Sequence, residues 1–401
     1  MKRAVLLIVT ACVGSAWAFW PRQALSHQTI STTVLFDREI VRILNRRCVS
    51  CHSEKNLAFP LTTYEETRPW AEAIREEALR RRMPPWRAVR GYAQFANDNG
   101  LTTRELEFIV SWVDGGGPKS AGQTVFANVN AVPKTAGEPV AGLIIDFNHW
   151  HLGKPDLLRE LKPNIIQPGR SDDVRRTIVD LGLTSDRWVR ALEFKPGDHR
   201  VVRAAFLTLQ ETGQWLGAWT PWYGLTSLPD GTAFLVPAGS HVVAEIHYRG
   251  ADEVVEDRSS FGLVFANAPP ANRPSDLVFE ARAEVPGDAT SQTVRAQTVL
   301  TADTYLLEVR TDLGLGAKTM ELTARKPDGS TQVLMFLKDI LHEWPTPYLF
   351  KEPVLLPKNT EVSATVSYAN TDSTPQLITL RVTIRSFNKA GRAVAYQALE
   401  R

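Results

Sequence analysis

Cys48-Val49-Ser50-Cys51-His52 is the run of this chain whose residue types and spacing could do chemistry. C-x-x-C-H is the spacing by which a haem c is covalently attached. Two thiols three residues apart on a helical turn can each form a thioether with a haem vinyl group, and the imidazole that follows can ligate the iron from its proximal side. Two competing readings use less of the run. A redox C-x-x-C does not need the histidine and usually accompanies a βαβ pattern, which this sequence lacks. A zinc site needs four ligands, yet the only other cysteine is Cys12, and the next histidine after His52 is His149. The residues therefore predict one covalent haem c per chain, held by Cys48 and Cys51 with His52 as axial ligand.

A second protein ligand on the iron suits an electron carrier, whereas an open position suits gas binding or catalysis. Met83 is the only methionine between Met1 and Met320, and it stands in Arg82-Met83-Pro84-Pro85-Trp86. Two prolines fix the backbone after it in an extended path, so its thioether could be held against the distal face. The competing reading is a core methionine at a helix end. No histidine of the helical region other than His52 is available, and Met83 is the expected sixth ligand. Arg80, Arg81, Arg82, Arg87 and Arg90 surround it in sequence. They read either as a solvated helix face or as a basic rim that steers an acidic redox partner or neutralises haem propionates.

These groups need elements to position them. Asp37 can cap a first helix through Ile40, Ile43 and Leu44 that delivers Cys48–His52 near its end. A second helix is predicted over Tyr64–Arg82, with Trp70, Ile74 and Leu79 on an apolar stripe, stopped by Pro84-Pro85. A third begins where Thr102 and Glu105 are spaced as a capping box, and Gly115-Gly116-Gly117-Pro118 ends it. Small polar residues from Ser120 to Ala141 read as a linker. Beyond it, short runs rich in Val, Thr and aromatics, His241–Tyr248 and Val362–Tyr368 among them, alternate with turns such as Pro229-Asp230-Gly231 and Pro327-Asp328-Gly329. The expected class is multidomain: a small all-α cytochrome c domain, then an all-β body of tandem jelly-roll-like sandwiches. Its parts are a signal peptide (1–18), the helical domain (34–119), a linker (120–141), two sandwiches (142–270 and 271–388) and a tail (389–401).

A net charge of +2 gives no reason to invoke nucleic acid. Lys2-Arg3, the apolar stretch Ala4–Val13 and Ala16-Trp17-Ala18 read as an export signal. Cleavage after Ala18 would leave Cys48 and Cys51 as the only cysteines, so no structural disulfide could accompany a thioether-bound haem. Val9-Thr10-Ala11-Cys12 also reads as a lipoprotein signal, and an uncleaved anchor is the third alternative. All three place the body outside the cytoplasm, in the periplasm, with membrane association only through the N-terminus, since no other stretch is long and apolar enough to span a bilayer.

The helical part resembles the small cytochrome c domains that carry C-x-x-C-H and, some thirty residues later, Met-Pro-Pro-Trp. Leu61-Thr62-Thr63-Tyr64-Glu65, Arg68-Pro69-Trp70, Phe95-Ala96-Asn97-Asp98 and Trp112-Val113-Asp114 support the match. The β part resembles the copper type II, ascorbate-dependent monooxygenases, the peptidylglycine and dopamine hydroxylase group. The segments are Lys154-Pro155-Asp156-Leu157, Asp186-Arg187-Trp188-Val189-Arg190-Ala191, Lys195-Pro196-Gly197, Trp215-Leu216-Gly217, Leu235-Val236-Pro237-Ala238-Gly239, Glu245-Ile246-His247-Tyr248 and Pro327-Asp328-Gly329.

That resemblance implies two coppers on histidines and a methionine, and the ligands fail one by one. Where the first copper expects a His-His pair stands Arg203-Ala204, and only its third ligand has a counterpart, His247. Where the second expects His-x-His stands Asp312-Leu313-Gly314, and no methionine follows Met335. His241 and His247, six residues apart on one strand, are separated by ~20 Å and cannot share an ion. The reading is an exported monohaem c-type cytochrome that passes single electrons to a periplasmic partner. Its β body has lost its chemistry and serves docking or assembly, with His247 a vestigial copper ligand and copper not expected. The alternative is a haem-fed copper monooxygenase, or a non-catalytic subunit of one.

Overall fold

The computed structural model describes residues 31–120, 150–169 and 172–388. The export signal with Cys12, nearly all of the linker, His149 and the tail from residue 389 lie outside the described residues. Among the described residues no helix is long and apolar enough to cross a membrane.

The chain is predominantly β. A first group of strands comprises β1 (Leu157–Glu160), β2 (Asn164–Ile166), β3 (Asp173–Asp180), β4 (Arg187–Lys195), β5 (Val202–Leu209), β6 (Trp215–Trp219), β7 (Leu225–Ser227), β8 (Phe234–Val236), β9 (His241–Tyr248), β10 (Val255–Asp257) and β11 (Ser260–Phe265). One sheet runs β1-β11-β4-β7 with β8 also on β4, a second runs β3-β9-β5-β6, and β2 pairs with β10. Along β9 burial alternates, so Val242, Ala244, Ile246 and Tyr248 enter the core while His241, Val243, Glu245 and His247 lie on the opposite face.

The second group is β12 (Ser275–Val285), β13 (Gln292–Val299), β14 (Thr304–Asp312), β15 (Ala317–Arg325), β16 (Thr331–Lys338), β17 (Tyr348–Leu356), β18 (Glu361–Tyr368) and β19 (Gln376–Asn388). Its two antiparallel sheets, β12-β19-β14-β17 and β13-β18-β15-β16, enclose one apolar core.

Between the two groups lies a buried ion pair. Arg385 of β19, fully buried, donates to Glu308 Oε1 at 2.6 Å and to the Trp215 carbonyl at 2.7 Å. Its guanidinium stands 4.5 Å from the Trp215 ring centroid and 4.8 Å from that of Phe234. Trp215 N–H in turn donates to Asp276 Oδ2 at 2.6 Å.

The described helices precede the strands. They are a π turn (Phe36–Ile40) running into α1 (Val41–Arg47), α2 (Tyr64–Thr67), a 3-10 turn (Arg68–Trp70), α3 (Ala71–Leu79) and α4 (Thr103–Asp114). Phe36, Ile40, Ile43, Leu44, Ile109, Trp112 and Val113 form their shared core. The capping boxes form as expected at Thr102/Glu105 and also at Thr63/Glu66. Asp37 does not cap α1; its carboxylate accepts from Ser120 instead.

The expectation of a distinct all-α domain is corrected. The segment after α3 leaves the helices and enters the β body: Trp86, Ala88 and Phe95 belong to the core of the second sandwich. The Trp86 and Phe95 rings pack against Tyr348 and Phe350 at 5.2–5.6 Å. The short helices bury little apolar surface of their own, and these side chains gain their burial from the sandwich.

Candidate haem-attachment turn and the faces around it

Cys48–His52 forms a turn at the C-terminal end of α1. Cys48 N–H donates to the Leu44 carbonyl at 2.8 Å, and the Cys48 carbonyl accepts from Cys51 N–H at 3.0 Å and His52 N–H at 2.9 Å. These bonds put residues 48, 51 and 52 on one helical turn. Arg47 locks the turn from behind. Buried, it donates to Glu105 Oε1 at 3.2 Å and to the Asp98 carbonyl at 2.9 Å, tying α1 to the start of α4.

Cys48 and Cys51 both carry free thiols. Burial pushes each thiol up to about 12. The direction is opposite to the depression that marks a reactive thiol–disulfide exchange site. Burial lowers the basicity of His52 and the nearby Arg249 guanidinium adds to the effect, against the pull of the Phe59 carbonyl. Its Nδ1 lies 3.0 Å from the Phe59 carbonyl. Such a bond fixes ring orientation and proton position and leaves Nε2 as the metal-binding atom.

The Phe59 ring stands edge-on to His52 at 5.0 Å and stacks on Trp70 at 4.3 Å. Phe59 and Trp70 are nonetheless 41% and 45% exposed, as Met83 is at 37%. Two free thiols, an oriented imidazole and an exposed aromatic pair beside it fit the donor set and apolar face of a thioether-bound porphyrin.

Met83 lies past the end of α3, with its N–H 3.3 Å from the Glu77 carbonyl and a cis peptide to Pro84. Of the five arginines around it, Arg81 is exposed and the other four are paired or buried. Arg80 pairs with Glu76 and Arg82 with Glu77, Arg90 meets Asp98 at 2.8 Å, and Arg87 is buried.

His247 sits on the outward face of β9, half-buried, with Nε2 3.2 Å from Glu245 Oε1 and its ring edge-on to Phe206 at 5.7 Å. Glu245 also receives Arg310 of β14 at 2.8 Å and Arg176 of β3 at 2.7 Å. His241 turns to Glu211 at 2.9 Å, and His199, half-buried, is pushed down to about 4 by desolvation. Among the described residues no group of three or more His, Cys, Asp and Glu side chains could hold a metal ion.

Burial alone would raise the Glu245 carboxyl, but the His247 hydrogen bond and the Arg310 and Arg176 guanidiniums outweigh it and hold it at about 2. A depressed carboxylate stabilises the fold fully above its unfolded value and loses that contribution as pH falls through the folded one. Between about pH 5 and pH 2 the native protein should lose on the order of 3 kcal/mol from this group. Glu245→Gln should show a correspondingly flatter acid dependence in denaturant titrations at several pH values. An equally steep variant would show that Glu245 is not the titrating group.

No family model matches the chain, and no curated protein matches it. Solved structures similar to it include the major capsid protein P2 of bacteriophage PM2, at 8% identity over 58% of this chain and 100% of that one, TM-score 0.24. The VP2 subviral particle of infectious bursal disease virus is similar at 9% identity over 62% and 75%, TM-score 0.21. At these scores the likeness carries no argument about function. The resemblance to a cytochrome c domain fused to a copper monooxygenase body is overturned: the chain is mostly strand with short helices, and neither family matches. Among the described residues His247 has no partners that could complete a metal site, and its ring nitrogen lies against Glu245 in an ion cluster.

Proposed function

We propose that this protein is an exported one-electron carrier with a single haem c, bound through Cys48 and Cys51 and ligated by His52 and Met83. The observation that carries the reading is local and independent of any family: thiols and imidazole share one turn, and the His52 Nδ1 contact to the Phe59 carbonyl leaves Nε2 for iron. A bound haem iron would supply a one-electron couple, and a thioether opposite the imidazole would raise its potential. The chain's own part is to orient the imidazole through Phe59, to cover it with the Phe59–Trp70 stack, and to hold Met83 at the end of α3. The large β body would serve docking or assembly with a periplasmic redox partner.

Met83→Ala is the test of the sixth ligand. In protein matured in a periplasm, haem should stay attached while the potential falls and the weak red absorption of thioether-ligated ferric iron disappears. An unchanged band would remove Met83 from the site.

A further inference from the structure

Residues 86–97 form a strap across the open side of the second sandwich. Val89 N–H donates to the Phe336 carbonyl at 2.8 Å, and Lys338 N–H to the Arg87 carbonyl at 3.1 Å, so one end pairs with β16. Ala96 N–H donates to the Leu349 carbonyl and Lys351 N–H to the Gln94 carbonyl, both at 2.8 Å, so the other end pairs with β17. β16 and β17 are the edge strands of the two different sheets. Asn97 locks the far end: its Nδ2 donates to the Pro347 carbonyl at 2.7 Å and its Oδ1 accepts from Leu349 N–H at 3.1 Å. An unpaired edge is a liability that proteins cover, and this strap covers two at once.

The strap begins three residues after Met83, and Arg87 reaches back from it. Arg87 as a whole is 6% exposed. Nη1 donates to the Arg81 carbonyl, and Nη2 lies 3.4 Å from the Arg82 carbonyl. Arg81 has a left-handed backbone, φ +54°, which a residue with a Cβ adopts at a cost unless its surroundings hold it. Arg87 is thus the side chain that binds the two residues leading into Met83, while its own main chain is hydrogen-bonded into β16.

We propose that Arg87 is a positioning residue for Met83, and that through the strap the second β-sandwich is part of the support of the iron's sixth ligand. The proposal rests on the reading of Met83 as that ligand. It gives the β body a role in the haem site: anything that shifts β16 or β17 alters how firmly the thioether is held.

The test is imidazole binding to the ferric holoprotein, which competes with the thioether. Loosening the loop lowers the closed population, and apparent affinity rises in proportion to the open fraction. Arg87→Met keeps the length and removes the donors, and should raise imidazole affinity about tenfold, with haem still attached. Arg87→Lys should restore part of the difference. Asn97→Ala, distant along the chain and outside the loop, should shift affinity in the same direction, and it keeps the test alive if Arg87→Met does not fold. Folded variants with lowered stability but native imidazole affinity would overturn the proposal, because a merely structural arginine moves stability alone. Met83→Ala is the control: if it too leaves affinity unchanged, the error lies in the ligand assignment itself.

Discussion

His52→Ala is expected to abolish the low-spin absorption spectrum of the mature protein. The imidazole is placed by three independent features: its backbone bond to Cys48, the Nδ1 contact to the Phe59 carbonyl, and the edge-on Phe59 ring. A ring with Nδ1 engaged by a carbonyl offers its other nitrogen to a metal. Removing it leaves Cys48 and Cys51 free to anchor a porphyrin but takes away the proximal ligand. The check is the visible spectrum of ferrous protein matured in a periplasm, alongside haem staining. A low-spin spectrum that survives the substitution would mean that another side chain holds the iron.

Arg385→Ala should be the most destabilising single change in the β body, by about 3–5 kcal/mol, because it leaves Glu308 buried without its partner. Burial already raises the Glu308 carboxyl against the pull of Arg385, so the unpaired acid would take up a proton. The variant also strips the Trp215 carbonyl of its donor and the Trp215 and Phe234 rings of their cation. A paired apolar replacement, Arg385→Met with Glu308→Leu, should recover most of the loss, since desolvating two charges costs about what their attraction returns. Denaturant unfolding followed by tryptophan fluorescence would compare the three proteins. A mild single variant, or a double no better than the single, would contradict the description of this pair.

Much of the local structure was legible in the sequence. β9 runs over the predicted His241–Tyr248 because a strand with one buried face alternates strictly, and Thr102 and Glu105 cap α4 because that box is a short-range device. The predicted helix over Tyr64–Arg82 is instead broken at Arg68–Trp70, where Pro69 enters a 3-10 turn. Trp86 and Phe95 read as residues of a helical domain, but their partners Tyr348 and Phe350 are some 250 positions away, which no periodicity reveals. The Glu245 cluster was hidden for the same reason, with Arg310 coming from the other sandwich.

The segments that suggested a family do work that many folds need. Thr63 closes a capping box, Asp98 receives Gly100 N–H in a turn, and Asp328 receives Ser330 N–H. Gly197 follows Pro196 because a Cβ there would lie 2.4 Å from the Arg258 backbone. Turn and cap chemistry of this kind recurs across folds. The Cys48–His52 turn differs, since no capping or packing role requires two thiols and an imidazole together.

The most direct measurement is the intact mass of denatured protein, matured in a periplasm with haem supplied, together with iron per chain. Mass increased by one haem that survives denaturation, with one iron per chain, is the result this account predicts. Unmodified mass, or haem released on denaturation, would contradict it.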